Sequence, residues 1–233
     1  MKILVIGSTG GSGLAAVQHL LADGHDVTAF SRHASRSHGT AARLTPVDGD
    51  VMDPEQVARA VRGHEAVVVT LGISENPLRV RLFGPARTSA DVRSTGTANV
   101  LAAMRRHGVK RLVVQTSYGV GATRDRLGLI ERLFFALVLK PQIADTEVQE
   151  RAVQESELDW VVVQPVHLTD DTDGAVPFVS TEGATGRMSV SRDAVGRFLA
   201  VAAAQPTYVR RCVAVSGAQK LLQSTGARAP VAG

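Results

Sequence analysis

The chain has 233 residues, 44% hydrophobic and 21% charged, which excludes a disordered chain, a collagen-like repeat and a coiled coil. The length suits one large domain or two small ones, with enough core to need no staple. The 26 basic against 22 acidic residues leave a net charge of +4, too small to argue for nucleic acid, and the single cysteine, Cys212, allows neither an internal disulfide nor a zinc cage.

Residues 2–6 form a short apolar run, suited to a strand buried on both faces. Residues 13–22 then place Leu14, Val17, Leu20 and Leu21 at helical spacing, and Asp23-Gly24 stops that helix. A second strand is predicted over 26–30 and a short third over 44–47. Asp53 as N-cap with Pro54 at the first helical position opens the next helix. A β-branched strand follows at 66–71, then a long helix over 90–107 ended by Gly108, then a strand over 110–116. Helices are expected at 127–139, before Pro141, and at 144–157. The remaining expectations are strands at 159–163, 188–190 and 212–215, and an amphipathic helix over 193–204 capped by Ser191. Strands alternating with helices of ten or more residues imply an α/β fold, a parallel sheet with helices on both faces. Residues 1–222 read as one unit and 223–233, rich in small residues, as a flexible tail. Gly7 interrupts the first apolar run, and 127–139 carries Glu131 and Arg132 and is too short for a bilayer. The expectation is therefore a cytoplasmic protein with no membrane partner.

The most informative segment is Gly7-Ser8-Thr9-Gly10-Gly11-Ser12-Gly13, placed after the first strand and at the start of the first helix. Of its four glycines, those at 7, 10 and 13 make a G-x-x-G-x-x-G spacing. The first permits a sharp turn, the second removes a Cβ that would block a pyrophosphate, and the third lets helix and strand pack closely. The helix N-terminus then offers unpaired N–H groups to a phosphate. A site for NAD usually carries an acid at the end of the second strand. Here that position reads Ser31-Arg32-His33, with Asp26 at the wrong end of the strand. Arg32 can clamp a 2′-phosphate, assisted by Ser31, His33 and Arg36, so the expected cofactor is NADP(H). Asp50 can accept from an adenine amino group while Val51 covers the ring. Thr70, Leu71 and Gly72 end the fourth strand, where ligands bind in open α/β sheets. Simpler readings stand beside each: a turn without ligand, a solvated Arg32, a plain turn at Gly49-Asp50, and a solvated loop at 73–90 rather than a lid carrying Arg79, Arg81 and Arg87.

The glycine loop, Gly49-Asp50-Val51-Met52-Asp53 and Ser94-Thr95-Gly96-Thr97-Ala98-Asn99-Val100 together resemble the atypical short-chain dehydrogenase/reductases. So do Gly108-Val109-Lys110-Arg111-Leu112-Val113-Val114 and Leu158-Asp159-Trp160-Val161-Val162-Val163-Gln164-Pro165, which extends the likeness over about residues 1–217. Within that group the chain is most similar to the NAD(P)H-binding branch of NmrA-like proteins and biliverdin IXβ/flavin reductases. The resemblance implies a single Rossmann-like doubly wound sheet with a small C-terminal substrate lobe. Most members with dehydrogenase or epimerase chemistry carry Y-x-x-x-K. Here Tyr118 is followed four residues on by Ala122, and Tyr208 by Cys212. The helix where the motif belongs reads Asp145-Thr146-Glu147-Val148-Gln149.

The flavin/biliverdin branch lacks that pair too. It resembles this chain at Thr116-Ser117 and Gln164-Pro165-Val166-His167. Carried over, Ser117 and His167 are the candidate catalytic residues, and Pro165 flanks the cofactor. Ser117 as a strand cap and His167 as a loop histidine are the structural alternatives. The resulting expectation is an NADPH-dependent reductase of a flavin, quinone or similar conjugated acceptor. The competing one is a non-catalytic NADP(H) sensor, and a sugar-nucleotide or steroid dehydrogenase fits least. The histidines show no metal spacing. Neither the physiological substrate nor the oligomeric state is legible in the residues.

Overall fold

The computed structural model describes residues 1–72, 89–126, 140–171 and 174–218. The helix expected over 127–139, most of the 73–90 loop and the 223–233 tail lie outside the described residues. Amino-terminally, β1 (Lys2–Ile6), α1 (Gly11–Ala22), β2 (Asp26–Ser31), α2 (Ala34–Ser37) and β3 (Leu44–Asp48) follow one another. Then come α3 (Pro54–Val61), β4 (Ala66–Val69), α4 (Val92–His107) and β5 (Arg111–Gln115). After a 3₁₀ turn (Gly121–Arg126), the chain continues with α5 (Lys140–Gln154), β6 (Asp159–Pro165), β7 (His167–Thr169) and β8 (Phe178–Ser180). It closes with β9 (Ser189–Ser191), α6 (Arg192–Ala204), a 3₁₀ turn (Pro206–Tyr208) and β10 (Arg211–Ser216).

The main sheet has the order β3-β2-β1-β4-β5-β6-β10-β8. All pairings are parallel except β10 with β8. This is a doubly wound, Rossmann-like α/β sheet, whose winding reverses between β1 and β4. Strand alternation assigns successive side chains to two cores. Ile3 and Val5 join Val17 and Leu20 of α1 and Leu199 of α6. Leu4 and Ile6 join Val57 of α3, Met104 of α4 and Val153 of α5 on the other face. The central strands β1, β4, β5 and β6 are therefore buried on both sides, which is why they read as apolar runs. The α1–α6 contact is close because Gly196 has no side chain: a Cβ there would stand 2.4 Å from the Ala15 Cβ.

The caps follow the sequence closely. Asp53 accepts from the Glu55 and Gln56 N–H groups at 2.9 and 3.0 Å, with Pro54 beginning α3. The Ser191 hydroxyl accepts from Ala194 N–H at 3.1 Å and starts α6. Two expectations need correction. The helix predicted over 144–157 runs from Lys140 to Gln154. Pro141 sits in its first turn, where a missing N–H costs nothing. The purely parallel sheet gains an antiparallel edge strand, β8, paired Ala214 to Ser180 through Ser216 to Phe178. Three residues with one large apolar side chain leave no readable alternation. The short strands β7 and β9 pair with each other, apart from the main sheet.

Candidate active site

A cleft of about 860 Å³ opens at the carboxyl ends of β1 and β4, the point where the sheet's winding reverses. Its first wall is the glycine turn. Gly7 adopts φ +82°, and a Cβ there would meet the Thr70 carbonyl oxygen at 2.6 Å. Gly13 is equally confined: a Cβ would lie 2.3 Å from the Gly7 carbonyl and 2.6 Å from the Thr70 hydroxyl. That hydroxyl donates within 3.1 Å of both the Ile6 and Gly7 carbonyls, pinning the turn to β4. Gly10 ends the turn, its N–H donating to the Gly7 carbonyl at 3.1 Å. It brings no capping side chain to α1, and the helix's first turn carries no acid. The first backbone bond of the helix runs from Leu14 N–H to the Gly10 carbonyl. The N–H groups of Gly11, Ser12 and Gly13 are thus left at the positive end of a helix dipole, an anion site made of backbone.

Thr9, Gly10, Gly11 and Ser12 line the cleft beside Gly7, whereas Ser8 and Gly13 do not. Ser8 is fully buried beneath the turn, where its backbone hydrogen-bonds His38. Burial pushes the His38 imidazole below its ordinary pKa, and that hydrogen bond offsets part of the shift. At one end of the cleft stand Ser31, the last residue of β2, and Arg32 and His33 directly after it. Asp48, the nearest acid on β3, is turned toward α2 and accepts from the Ser35 N–H and hydroxyl at 2.8 and 2.6 Å. Asp50 also lines the cleft, one carboxyl oxygen taken by Met52 N–H at 3.0 Å. Val51 is held from behind: Asn99 donates to its carbonyl at 2.9 Å, and Gly96 leaves no room beyond its methyls and Leu71. Asn99 and Gly96 therefore support this wall of the cleft without lining it.

Thr70, Leu71 and Gly72 continue the wall toward the other end, where Thr116, Ser117, Pro165, Val166 and Leu168 meet. Ser117 is half-buried on this wall. His167 is exposed and outside the cleft. The reason is the two-residue period of β7: Val166 and Leu168 face in, so the residue between them faces out. Tyr118 is buried in the core and donates to the Gly183 carbonyl at 3.0 Å.

Two arginines that the motif reading missed also line the cleft. Arg192 opens α6 and lies across the glycine turn, so that a Cβ on Gly11 would stand 2.2 Å from its Cδ. Its guanidinium pairs with the exposed Asp170 at 2.7 Å. Arg93, in the first turn of α4, borders Gly72 and has a buried Nη1 with no partner. Its helix is capped from outside by Asp145 of α5, which accepts from Arg93 and Ser94 N–H groups at 3.1 Å each. Only the pairing of α4 with α5 reveals either feature. Among the described residues no cluster of side chains could hold a metal, and no helix is long and apolar enough to cross a membrane.

A parallel sheet with a glycine-cradled helix N-terminus at its winding reversal defines a dinucleotide-binding protein of the Rossmann class. The chain belongs to the NAD(P)H-binding family, whose model matches residues 7–206. This agrees with the resemblance to atypical short-chain dehydrogenase/reductases. Over 123 residues it is 36% identical to a 2-alkyl-3-oxoalkanoate reductase of Stenotrophomonas maltophilia, covering 52% of this chain and 34% of that one. The match thus spans about a third of that relative's length. Among solved structures, a wide-type short-chain dehydrogenase/reductase of Veillonella parvula in complex with NADP superimposes with TM-score 0.75 at 19% identity, over 92% of this chain and 94% of that one. The anaerobillin reductase ChuY of Escherichia coli gives TM-score 0.71 at 22% identity, over 93% and 97% of the two chains.

Proposed function

We propose that the chain is an NADPH-dependent reductase of a flat, conjugated acceptor such as a flavin or quinone. The observation that carries this reading is one continuous cleft, with a backbone anion site in the middle, Arg32 at one end and an apolar wall beside Ser117 at the other. The residues fit a dinucleotide: the space that Cβ atoms on Gly7 and Gly13 would fill is taken by backbone that shapes the turn, and the N–H groups of Gly11 and Ser12 are positioned to hold a pyrophosphate. Arg192 adds a positive charge over the same turn. Arg32, with Ser31 and His33, holds a 2′-phosphate, and Asp50 and Val51 receive the adenine. Thr70, Leu71, Gly72 and Pro165 border the path to the nicotinamide end. When bound there, NADPH supplies a hydride to the acceptor.

Ser117 hydrogen-bonds the carboxamide or the acceptor, and Pro165, Val166 and Leu168 give the acceptor an apolar surface from which water is excluded. The β7–β9 ribbon forms the small substrate lobe. His167 has no part in this reading, because it points away from the cleft. A second reading, a non-catalytic NADP(H) sensor, draws on the missing Y-x-x-x-K and on Tyr118, whose hydroxyl is tied to Gly183.

Mixing the protein with NADPH and FMN, riboflavin, menadione or a 2-alkyl-3-oxoalkanoate, and following nicotinamide absorbance, separates the two. Steady oxidation with at least one acceptor is expected. Tight NADPH binding with no oxidation across the panel overturns the reductase in favour of the sensor.

A further inference from the structure

Reduction of a carbonyl or quinone needs a proton as well as a hydride, and this chain has no Y-x-x-x-K motif to give one. Beneath the nicotinamide end lies a buried carboxyl group that the proposed cofactor contacts do not use. Glu150 of α5 is 2% exposed. Its Oε1 lies 2.6 Å from the Thr116 hydroxyl and 2.9 Å from the Gln164 amide nitrogen, which also donates to the Val120 carbonyl at 2.9 Å. Its Oε2 is buried with no hydrogen-bond partner. Gly121 covers that oxygen so closely that a Cβ there would stand 2.3 Å away. Thr116 is 6% exposed and lines the cleft next to Ser117.

Charge decides which form of Glu150 this pocket favours. Among the described residues no ion pair joins a cation to it, and Arg124 pairs at 2.9 Å with Glu147, one turn earlier on α5. The titratable groups that act on it are Glu147, on its own helix α5, and the Cys212 thiol on β10, and neither favours a second negative charge. A buried carboxylate with an orphaned oxygen and no cation is costly, whereas a neutral acid is not. Protonated at Oε1, Glu150 donates to Thr116 and still accepts from Gln164, and Oε2 becomes an ordinary carbonyl oxygen. Burial accordingly pushes this carboxyl above the usual range, although Thr116 and Gln164 pull against it.

We propose that Glu150 is the proton reservoir of this site, acting through the Thr116 hydroxyl on the acceptor in the cleft; this rests on the reductase reading. As the acceptor gains the hydride's electron pair and negative charge, the Thr116 O–H bond breaks toward it. The Glu150 O–H bond breaks toward the Thr116 oxygen, which keeps its hydroxyl. Glu150 is left as a carboxylate, and cleft water returns the proton along the same path after product leaves. Thr116 is the catalytic residue in the strict sense, and Glu150 a positioning residue behind it.

The test uses the full chain with NADPH and menadione. Glu150→Gln keeps the acceptor oxygen for Thr116 and Gln164 but cannot give a proton. We expect kcat to fall about a hundredfold, with the KM for NADPH within about twofold of wild type. Wild-type kcat should fall as pH rises through the Glu150 pKa, and that limb should vanish in the variant. Independently of turnover, infrared spectra of the nucleotide-free protein near neutral pH should contain a protonated-carboxyl band that Glu150→Gln removes. Thr116→Val should match the loss and Thr116→Ser restore activity, a pair that decides the matter even if Glu150→Gln does not fold. Wild-type kcat and an unchanged pH limb in Glu150→Gln, or full activity in Thr116→Val, overturn the relay alone. No turnover by wild type with any acceptor removes the reductase reading and the relay with it.

Discussion

The two ends of the cleft are built by different means. The proposed phosphate end is made largely of backbone: a turn holding four glycines, the N–H groups of one helix, and a hydroxyl that ties the turn to β4. The acceptor end is made of side chains drawn from separate segments, with Thr116 following β5, Glu150 on α5 and Gln164 on β6. A backbone site is specified by what is missing, so a single added methyl can destroy it. A side-chain site is specified by what is present, so isosteric substitutions should alter its chemistry and leave its shape.

The largest effect should therefore come from Gly13→Ala. The new Cβ would face the Gly7 carbonyl at 2.3 Å, backbone against side-chain root, with no rotamer to relieve it. We expect NADPH affinity by calorimetry to fall at least about a hundredfold, roughly 2.7 kcal/mol. Gly24→Ala is the control: Gly24 has φ +79° but open space around it, so stability should drop slightly and affinity stay the same. An equal loss of affinity in both would mean that general strain, not the cradle, governs binding.

Next in size is a contrast between two arginines. Arg32→Ala should weaken NADPH about tenfold or more and leave NADH unchanged, because only NADPH has a 2′-phosphate. Arg192→Ala should weaken both nucleotides about equally, also about tenfold, because it lies over the shared pyrophosphate turn. NADH binding as tightly as NADPH in wild type would break the assignment of Arg32. An NADPH-selective loss in Arg192→Ala would move that residue to the other phosphate.

The same contrast explains how much could be read beforehand. The turn, its position after β1 and the helix caps at Asp53 and Ser191 were legible because each depends on neighbours in sequence. Arg192 and Arg93 were not, because each enters the cleft through helix pairings that leave no local pattern. His167 was placed by the residues around it, and one step of strand alternation puts it outside. In sequence Glu150 is one polar residue among many on the helix expected at 144–157. Its isolation appears only when α5, β6 and the turn at Gly121 close around it.

A stability measurement sharpens the acceptor end without any substrate. A carboxyl whose pKa is raised on folding binds more protons folded than unfolded at pH values between the two pKa values. Folding stability should then be fully favoured by this group below the ordinary carboxyl range and decline as pH rises through the raised value. Glu150→Gln should remove that decline, read as denaturant midpoint against pH. Identical slopes in the two proteins would mean that Glu150 ionises as freely when folded as when unfolded.

The smallest effect tests whether the two ends communicate through α6. Ser191 caps that helix one residue before Arg192, and Asp193 ties its first turn to His19 of α1 at 2.9 Å. Ser191→Ala removes an acceptor for the Ala194 N–H and should cost about 1 kcal/mol, a Tm lower by about 2–4 °C. If the cap also aims Arg192, affinity for NADPH and NADH should fall together, by no more than about threefold. If Tm falls and affinity does not, the Asp193–His19 pair and the close α1–α6 packing hold Arg192 over the turn without help from the cap.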